Sequence, residues 1–175
     1  MSRFILAVLV LCALTAPLAA QSSTRSADAS ASVIITPTLT LTKVQDLNFG
    51  SHFATEGVVQ SSSTVFAQWN GTTDSQNSLS LTFTLPTFLQ RVGNSQQVGI
   101  AYGTNSALYD NAGGGISIAF DPHTGLPTTG SVVGGAYSVR LGTNFGQTGQ
   151  AVSIDLSGHG PGTYQGVITL TVTVL

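Results

Sequence analysis

The segment from Tyr164 onward alternates between apolar and polar side chains. Its apolar residues fall on one parity and its polar residues on the other, which is the two-residue period of a strand with one buried face. The apolar set is Tyr164, Ile168, Leu170, Val172 and Val174, and the polar set is Gln165, Thr169, Thr171 and Thr173. The pattern predicts a strand over 166–175. Its backbone donors and acceptors need partners in a sheet, because unpaired peptide groups beside an apolar face are costly.

Short alternating runs recur along the rest of the chain and are separated by Gly, Pro and Asn. They lie at 38–41, 65–69, 79–85, 98–102, 116–120, 137–141 and 152–156. No segment carries a helical stripe, and no repeat of roughly 20 to 50 residues is visible, which disfavours solenoids and propellers. Short strands with turn residues between them predict an all-β protein, either an antiparallel sandwich or a barrel. We favour a β-sandwich of Greek-key or immunoglobulin-like type.

The first twenty residues have the layout of a secretory signal peptide. Arg3 precedes an apolar run at 4–14, and Pro17 and two alanines follow. The run is too short to span a membrane, and we expect cleavage after Ala20. The single cysteine, Cys12, lies inside this run, so the exported chain is expected to form no disulfide.

The chain is poor in charge. Charged residues make up 7% and hydrophobic residues 42% of the sequence, and the formal net charge is -2. Globular proteins average about a quarter charged residues. The composition suits a β-protein with a surface of small hydroxyl and amide groups, and the lack of basic clusters argues against nucleic acid or an anionic membrane as a partner.

No residue pattern predicts catalysis or metal binding. His52, His123 and His159 are far apart and lack metal-ligand spacing. The acidic residues are scattered, mostly at turns, and no G-x-S-x-G motif occurs. We therefore expect no enzyme activity, no metal site and no cofactor.

Residues 21–36 form a polar tail that becomes an alternating segment. Ala29, Ala31, Val33 and Ile35 share one parity, and their small-to-large side chains suit shallow pockets in a sheet groove. Pro37 then interrupts the pattern, and proline in strands is confined to edges, bulges and ends. We expect a signal peptide at 1–20, an N-terminal extension at 21–36 and a β-sandwich domain at 37–175. The extension either pairs within its own chain or is donated to a neighbour.

Two motifs carry a resemblance to a known family. Gly162, the fourteenth residue from the end, followed by alternating apolar residues up to Val174, resembles the closing strand of chaperone-usher pilin subunits. The pairing of KVQDLNFG at 43–50 with PGTYQGVITLTVTV at 161–174 is also similar to secreted bacterial domains of the spore-coat-protein-U type. The family-like turn comprises Asp46, Leu47, Asn48, Phe49 and Gly50. The sequence departs from pilins in carrying Val where they usually have Tyr, and in lacking their disulfide.

The resemblance implies an incomplete sandwich that lacks one strand. In such subunits a periplasmic chaperone fills the exposed groove first, and the N-terminal extension of the next subunit replaces it at an outer-membrane usher. It implies an exported structural subunit of a fimbria-like filament or surface coat, on the extracellular surface, with itself as main partner. The donor positions would be Ala29, Ala31, Val33 and Ile35. The groove and terminal strand would comprise Gly162, Tyr164, Ile168, Leu170, Val172 and Val174.

A second hypothesis is a monomeric secreted adhesin or carbohydrate-binding module. It would use loops such as 103–115 or 121–135, and four aromatic residues could form a sugar-stacking face, although aromatics at strand parity more often pack in the core. These residues are Trp69, Tyr102, Tyr109 and Tyr137.

Overall fold

The computed structural model describes residues 32–34, 36–74, 76–113, 115–133, 135–142 and 151–175. The predicted signal peptide and the donor positions Ala29, Ala31 and Ile35 lie outside these residues. The described residues of the unit Thr36–Leu175 form twelve β-strands. They are β1 (Leu39–Gln45), β2 (Val58–Gln60), β3 (Ala67–Thr73), β4 (Leu79–Thr84), β5 (Phe88–Arg91), β6 (Gln97–Ala101), β7 (Ala107–Asn111), β8 (Ile116–Phe120), β9 (Ala136–Leu141), β10 (Ser153–Asp155), β11 (Tyr164–Gln165) and β12 (Thr169–Val174).

The strands pair antiparallel in three sheets. The first has the order β1-β3-β9-β7-β8, the second β11-β5-β6-β10-β2, and the third pairs β12 with β4. The prediction of an all-β antiparallel protein is confirmed, and the arrangement is consistent with a β-sandwich. Within the described ranges there is no helix, and hence none long and apolar enough to cross a membrane.

The core lies between the inward faces of these sheets. The predicted runs at 79–85, 98–102, 116–120 and 137–141 correspond to β4, β6, β8 and β9. Most of their alternating apolar residues are buried or half-buried there, whereas Ile116 at the start of β8 is 38% exposed. Aromatic contacts link different sheets: the ring of Phe83 on β4 lies 5.7 Å from that of Trp69 on β3 and 6.1 Å from that of Phe120 on β8. Such pairs add to the stability gained from burial.

The terminal segment differs from the prediction at its start. Tyr164 and Gln165 pair with β5, whereas β12 begins only at Thr169 and pairs with β4. Between them the backbone passes very close to β5, since a Cβ on Gly166 would lie 2.8 Å from Leu89 Cδ2. The chain changes partner strands here, so a single strand over 166–175 was wrong for residues 166–168.

The outward faces of β12 and β4 carry a ladder of hydroxyl groups. Thr169 stands opposite Thr84, Thr171 opposite Thr82, and Thr173 opposite Ser80. The threonines are exposed and Ser80 is half-buried. Cross-strand pairs of this kind stabilise a sheet modestly without any charge.

Strand β1 is attached to the first sheet by a side chain that crosses β3. The hydroxyl of Tyr137 on β9 donates a hydrogen bond to the carbonyl of Thr40 on β1 at 2.8 Å. The ring can reach over β3 because residue 71 is glycine; any side chain there would overlap the Tyr137 ring and the Thr40 carbonyl. Gly71 therefore permits the contact that anchors β1.

Candidate functional site: an open groove beside β1 and β12

Two leucines on the inward face of β1 are not covered. Leu39 stands opposite Thr73, and Leu41 opposite Gly71, so both face the same side as the buried residues of β3. Thr73 is only 5% exposed, but Leu39 and Leu41 are 39% and 38% exposed. An apolar side chain that points inward and still contacts water indicates that a covering element is missing.

Both strands next to this gap have an edge without a partner strand in the described part of the chain. β1 ends the first sheet, and β12 pairs with β4 alone. The start of β1 and the end of β12 lie at the same end of the domain, beside the end of β3 and the start of β4, because the Thr38 amide donates to Asp74 Oδ2 at 2.9 Å and the Leu175 amide to the Ser78 carbonyl at 2.9 Å. The two strands run in opposite directions, and their free backbone groups could pair with an added strand.

A groove of about 930 Å³ opens where β1 ends and β12 begins. Its walls are formed by residues within 43–54 and 159–168, and its floor is apolar. The floor includes Trp69, Val98, Ile100 and Ile154, which are at most 8% exposed. The groove borders the same core that β1 leaves partly uncovered, and Leu39 and Leu41 lie outside its lining.

The turn at 46–50 forms part of this wall. Leu47 and Phe49 are half-buried and pack against the core, while Asn48 Oδ1 accepts a hydrogen bond from the Gly50 amide at 2.9 Å. Gly50 has a φ of +85°, which favours glycine. The family-like turn therefore combines two apolar anchors with a side-chain-stabilised reversal.

A histidine bridges the next part of the wall. His52 Nδ1 lies 2.8 Å from Glu56 Oε2, and His52 Nε2 lies 2.6 Å from the carbonyl oxygen of Phe49. The same carboxylate accepts a hydrogen bond from the Phe53 amide at 2.8 Å. Because a carbonyl and a carboxylate can only accept, both ring nitrogens donate, and the complete set of bonds requires the protonated imidazolium.

This arrangement predicts a pH optimum for the loop. The hydrogen bonds to Glu56 and then to Phe49 raise the pKa of His52 above 6.5; bonds from Phe53 and then from His52 lower the pKa of Glu56 below 4.5. The His52 contribution is complete below pH 6.5 and is lost as pH rises through its folded pKa. The Glu56 contribution is complete above 4.5 and is lost as pH falls through its folded pKa.

We therefore expect the loop to be most stable between the two shifted pKa values. An NMR titration of His52 in the exported chain should give a midpoint above 6.5, and Glu56→Gln should lower that midpoint. A His52 midpoint that does not respond to the substitution would contradict the bridge.

The predicted groove residues of the terminal segment lie in two places, the wall of the groove and the strand β12. Gly162 passes so close to Arg91 that a side chain would overlap the guanidinium, and the hydroxyl of Tyr164 donates to the Gly160 carbonyl at 2.8 Å. Leu170 is 6% exposed, and Ile168, Val172 and Val174 are half-buried against the core. Gly162, Tyr164 and Ile168 line the groove, whereas the apolar face of β12 packs into the core beside it.

Of the predicted donor positions only Val33 is described. Val33 is 82% exposed, and the neighbouring Ile34 is 91% exposed.

The residues considered for a sugar site do not form an exposed face. Trp69, Tyr109 and Tyr137 are at most 7% exposed, and Tyr102 is half-buried. The segment 103–115, considered as a binding loop, contains β7, which lies between β8 and β9. No group of three or more His, Cys, Asp or Glu side chains that could hold a metal is found among the described residues.

Sequence reasoning missed the groove floor and the uncovered leucines. Alternation marked Leu39, Leu41, Val98, Ile100 and Ile154 as apolar strand faces, but it carries no information about which faces meet. The bulge in β1, where the register shifts between Lys43 and Gln45, was also not predicted.

No protein-family model matches the chain, and the searches of curated proteins and of solved structures give no match.

Proposed function

We propose that the chain is an exported structural subunit of a fimbria-like filament or surface coat, which assembles by donating an N-terminal β-strand to a neighbouring copy. In this proposal the domain is a pilin-type, immunoglobulin-like sandwich that lacks one strand. Residues 21–36, with Ala29, Ala31, Val33 and Ile35 on one face, supply that strand to the next subunit.

One observation carries the proposal: inward-facing Leu39 and Leu41 are more than a third exposed beside two strand edges that have no partner strand among the described residues. A strand inserted there would cover both leucines and pair with β1 and β12. Burying a leucine completely contributes about 1.5–3 kcal/mol, and each added backbone hydrogen bond contributes roughly 0.5–1.5 kcal/mol. A strand that makes many such contacts would dissociate very slowly.

The chemistry of the linker favours donation over self-pairing. To fill the groove beside its own β1, the extension must reverse direction at Thr36-Pro37, since Thr38 is already held by Asp74. Two-residue hairpin turns need a positive φ at their first central residue. Thr36 is β-branched and precedes proline, and both properties oppose that conformation. An extended Thr36-Pro37 opposes this reversal, which supports donation to a neighbouring copy.

An unfilled groove of this kind would need protection during export. Open strand edges beside apolar side chains promote aggregation, so a periplasmic chaperone that covers the groove and an outer-membrane usher that exchanges it are the partners this proposal implies.

The test uses the exported chain that begins at Gln21. We expect it to form filaments in negative-stain electron microscopy, and a ladder on SDS gels that collapses to a single monomer band only after boiling. A variant that begins at Pro37 is the control, and it should yield no ladder. A stable monomer that is unaffected by this deletion would exclude strand donation.

A further inference from the structure

We infer that the groove mouth, formed by Phe53 and Val167, is also a docking surface for the body of the donating copy. That copy would present its turn pole, formed by Asp74, Ser78, Val133 and Leu175, so that subunits join head to tail. The inference rests on the proposed function, and it adds a contact between folded domains that the donated strand alone does not provide.

The linker between the donated strand and its own domain is short, so it brings the domains of the donating and accepting copies together. The rigid part of the domain begins at Thr38, whose amide and hydroxyl both bond to Asp74. Only Thr36 and Pro37 separate it from Ile35, the last predicted donor position. Three Cα steps span at most about 11 Å, so the turn pole of the donor must lie directly against the end of the groove from which its strand emerges.

The donated strand could emerge from the acceptor at either of two ends, the turn pole or the groove mouth. Because β1 and β12 run in opposite directions, an inserted strand is parallel to one of them. A strand parallel to β12 would emerge at the turn pole of the acceptor, and two copies could then exchange strands reciprocally in a closed pair. A strand antiparallel to β12 would emerge at the groove mouth, and the contact would join unlike surfaces and leave the chain open to growth.

The distribution of exposed apolar side chains favours the second arrangement. Among the described residues of the unit Thr36–Leu175, the three most exposed large apolar side chains are Val167 at 79%, Phe53 at 78% and Leu175 at 65%. Val167 and Phe53 line the groove mouth. Leu175 is on the turn pole beside the loop that carries Val133, itself 42% exposed. Only a head-to-tail contact covers both ends at once, and clustered exposed apolar groups commonly mark interaction sites.

Engineered disulfides test the direction in which the donated strand lies in the acceptor. The chain from Gln21 onward contains no cysteine, so any cross-link comes from the introduced pair. Thr36→Cys with Val167→Cys should give a covalent ladder of many subunits on non-reducing gels, because a disulfide forms only when Cα atoms lie roughly 4.4–6.8 Å apart. Thr36→Cys with Leu175→Cys should give no covalent dimer. Covalent dimers in the second variant with no ladder in the first would overturn the inference.

A second experiment separates the docking surface from strand insertion. Phe53→Ser with Val167→Ser should accelerate subunit exchange between fluorescently labelled assemblies by roughly tenfold. Val58→Ser with Val92→Ser, at sites that are 60% and 61% exposed and do not line the groove, is the matched control and should leave exchange unchanged.

A synthetic peptide of residues 21–36 measures strand insertion in the absence of a donating domain. It should bind a Val33→Asp chain, which keeps its groove but donates poorly, equally well with or without the two serine substitutions. Peptide binding together with unchanged subunit exchange would overturn the docking surface alone. Failure of the peptide to bind at all would overturn the proposed function, and the docking surface with it.

Discussion

Mixing two variants that each fail to assemble is expected to give a one-to-one complex and nothing longer. Val33→Asp places a carboxylate on the apolar face of the extension, so that copy can receive a strand but donates poorly. Leu41→Asp places a carboxylate on the inward face of β1, so that copy can donate but its groove is blocked. Each variant alone should remain monomeric, because an unpaired buried charge is strongly unfavourable. Size-exclusion chromatography with light scattering would measure the masses.

The control variants differ from the test variants only in which face of the strand carries the charge. Ser32→Asp and Thr42→Asp introduce the same charge one position away, on the opposite parity, and both should assemble like the unmodified chain. If the mixture stays monomeric although each variant remains folded by circular dichroism, donation between copies is excluded. If the Thr42→Asp chain also fails, general charge repulsion rather than the groove explains the loss.

Gly71→Ala is expected to destabilise the domain strongly. The added Cβ would overlap the Thr40 carbonyl and the Tyr137 ring, so the ring must move and its hydrogen bond to β1 is lost. Overpacking costs about 1–3 kcal/mol and the hydrogen bond roughly 1 kcal/mol. We expect a loss of about 3 kcal/mol in the free energy of unfolding, measured by urea denaturation of an assembly-defective chain.

Two further substitutions separate the cost of overpacking from the cost of the lost hydrogen bond. Tyr137→Phe removes the hydrogen bond without overpacking and should cost about 1 kcal/mol. Gly99→Ala on β6 adds a methyl group where no atom lies within 4 Å, and it should be neutral or stabilise by roughly 0.4–1 kcal/mol. Equal effects of Gly71→Ala and Gly99→Ala would show that the crossing of Tyr137 over β3 does not anchor β1.

The sequence predicted strands well where one face contacts water. In β6 and β9 the alternation of side chains follows the alternation of environment. In β7 it does not, because Ala107, Leu108 and Tyr109 are all at most 7% exposed; both faces are covered, and a continuous apolar run loses the two-residue period. β2 and β5 are only three and four residues long, too short for a periodic signal.

The groove lay beyond what alternation can predict. Parity assigned Leu39 and Leu41 to an apolar face, but exposure depends on whether another strand covers that face. The floor unites Trp69, Val98 and Ile154, which come from three strands far apart in the chain, and only the pairing of those strands brings them together. The extension at 21–36 stays a prediction, made from a local feature, the small alternating side chains that precede Pro37.

The hydroxyl ladder on β12 and β4 has a consequence for the outer surface of an assembly. Neutral hydroxyl groups bind water firmly but attract no counterions, so added electrolyte has little to screen along this stripe. Fibres coated in this way would keep their spacing and solubility from fresh water to brine, because hydration rather than electrostatic repulsion holds neighbouring fibres apart.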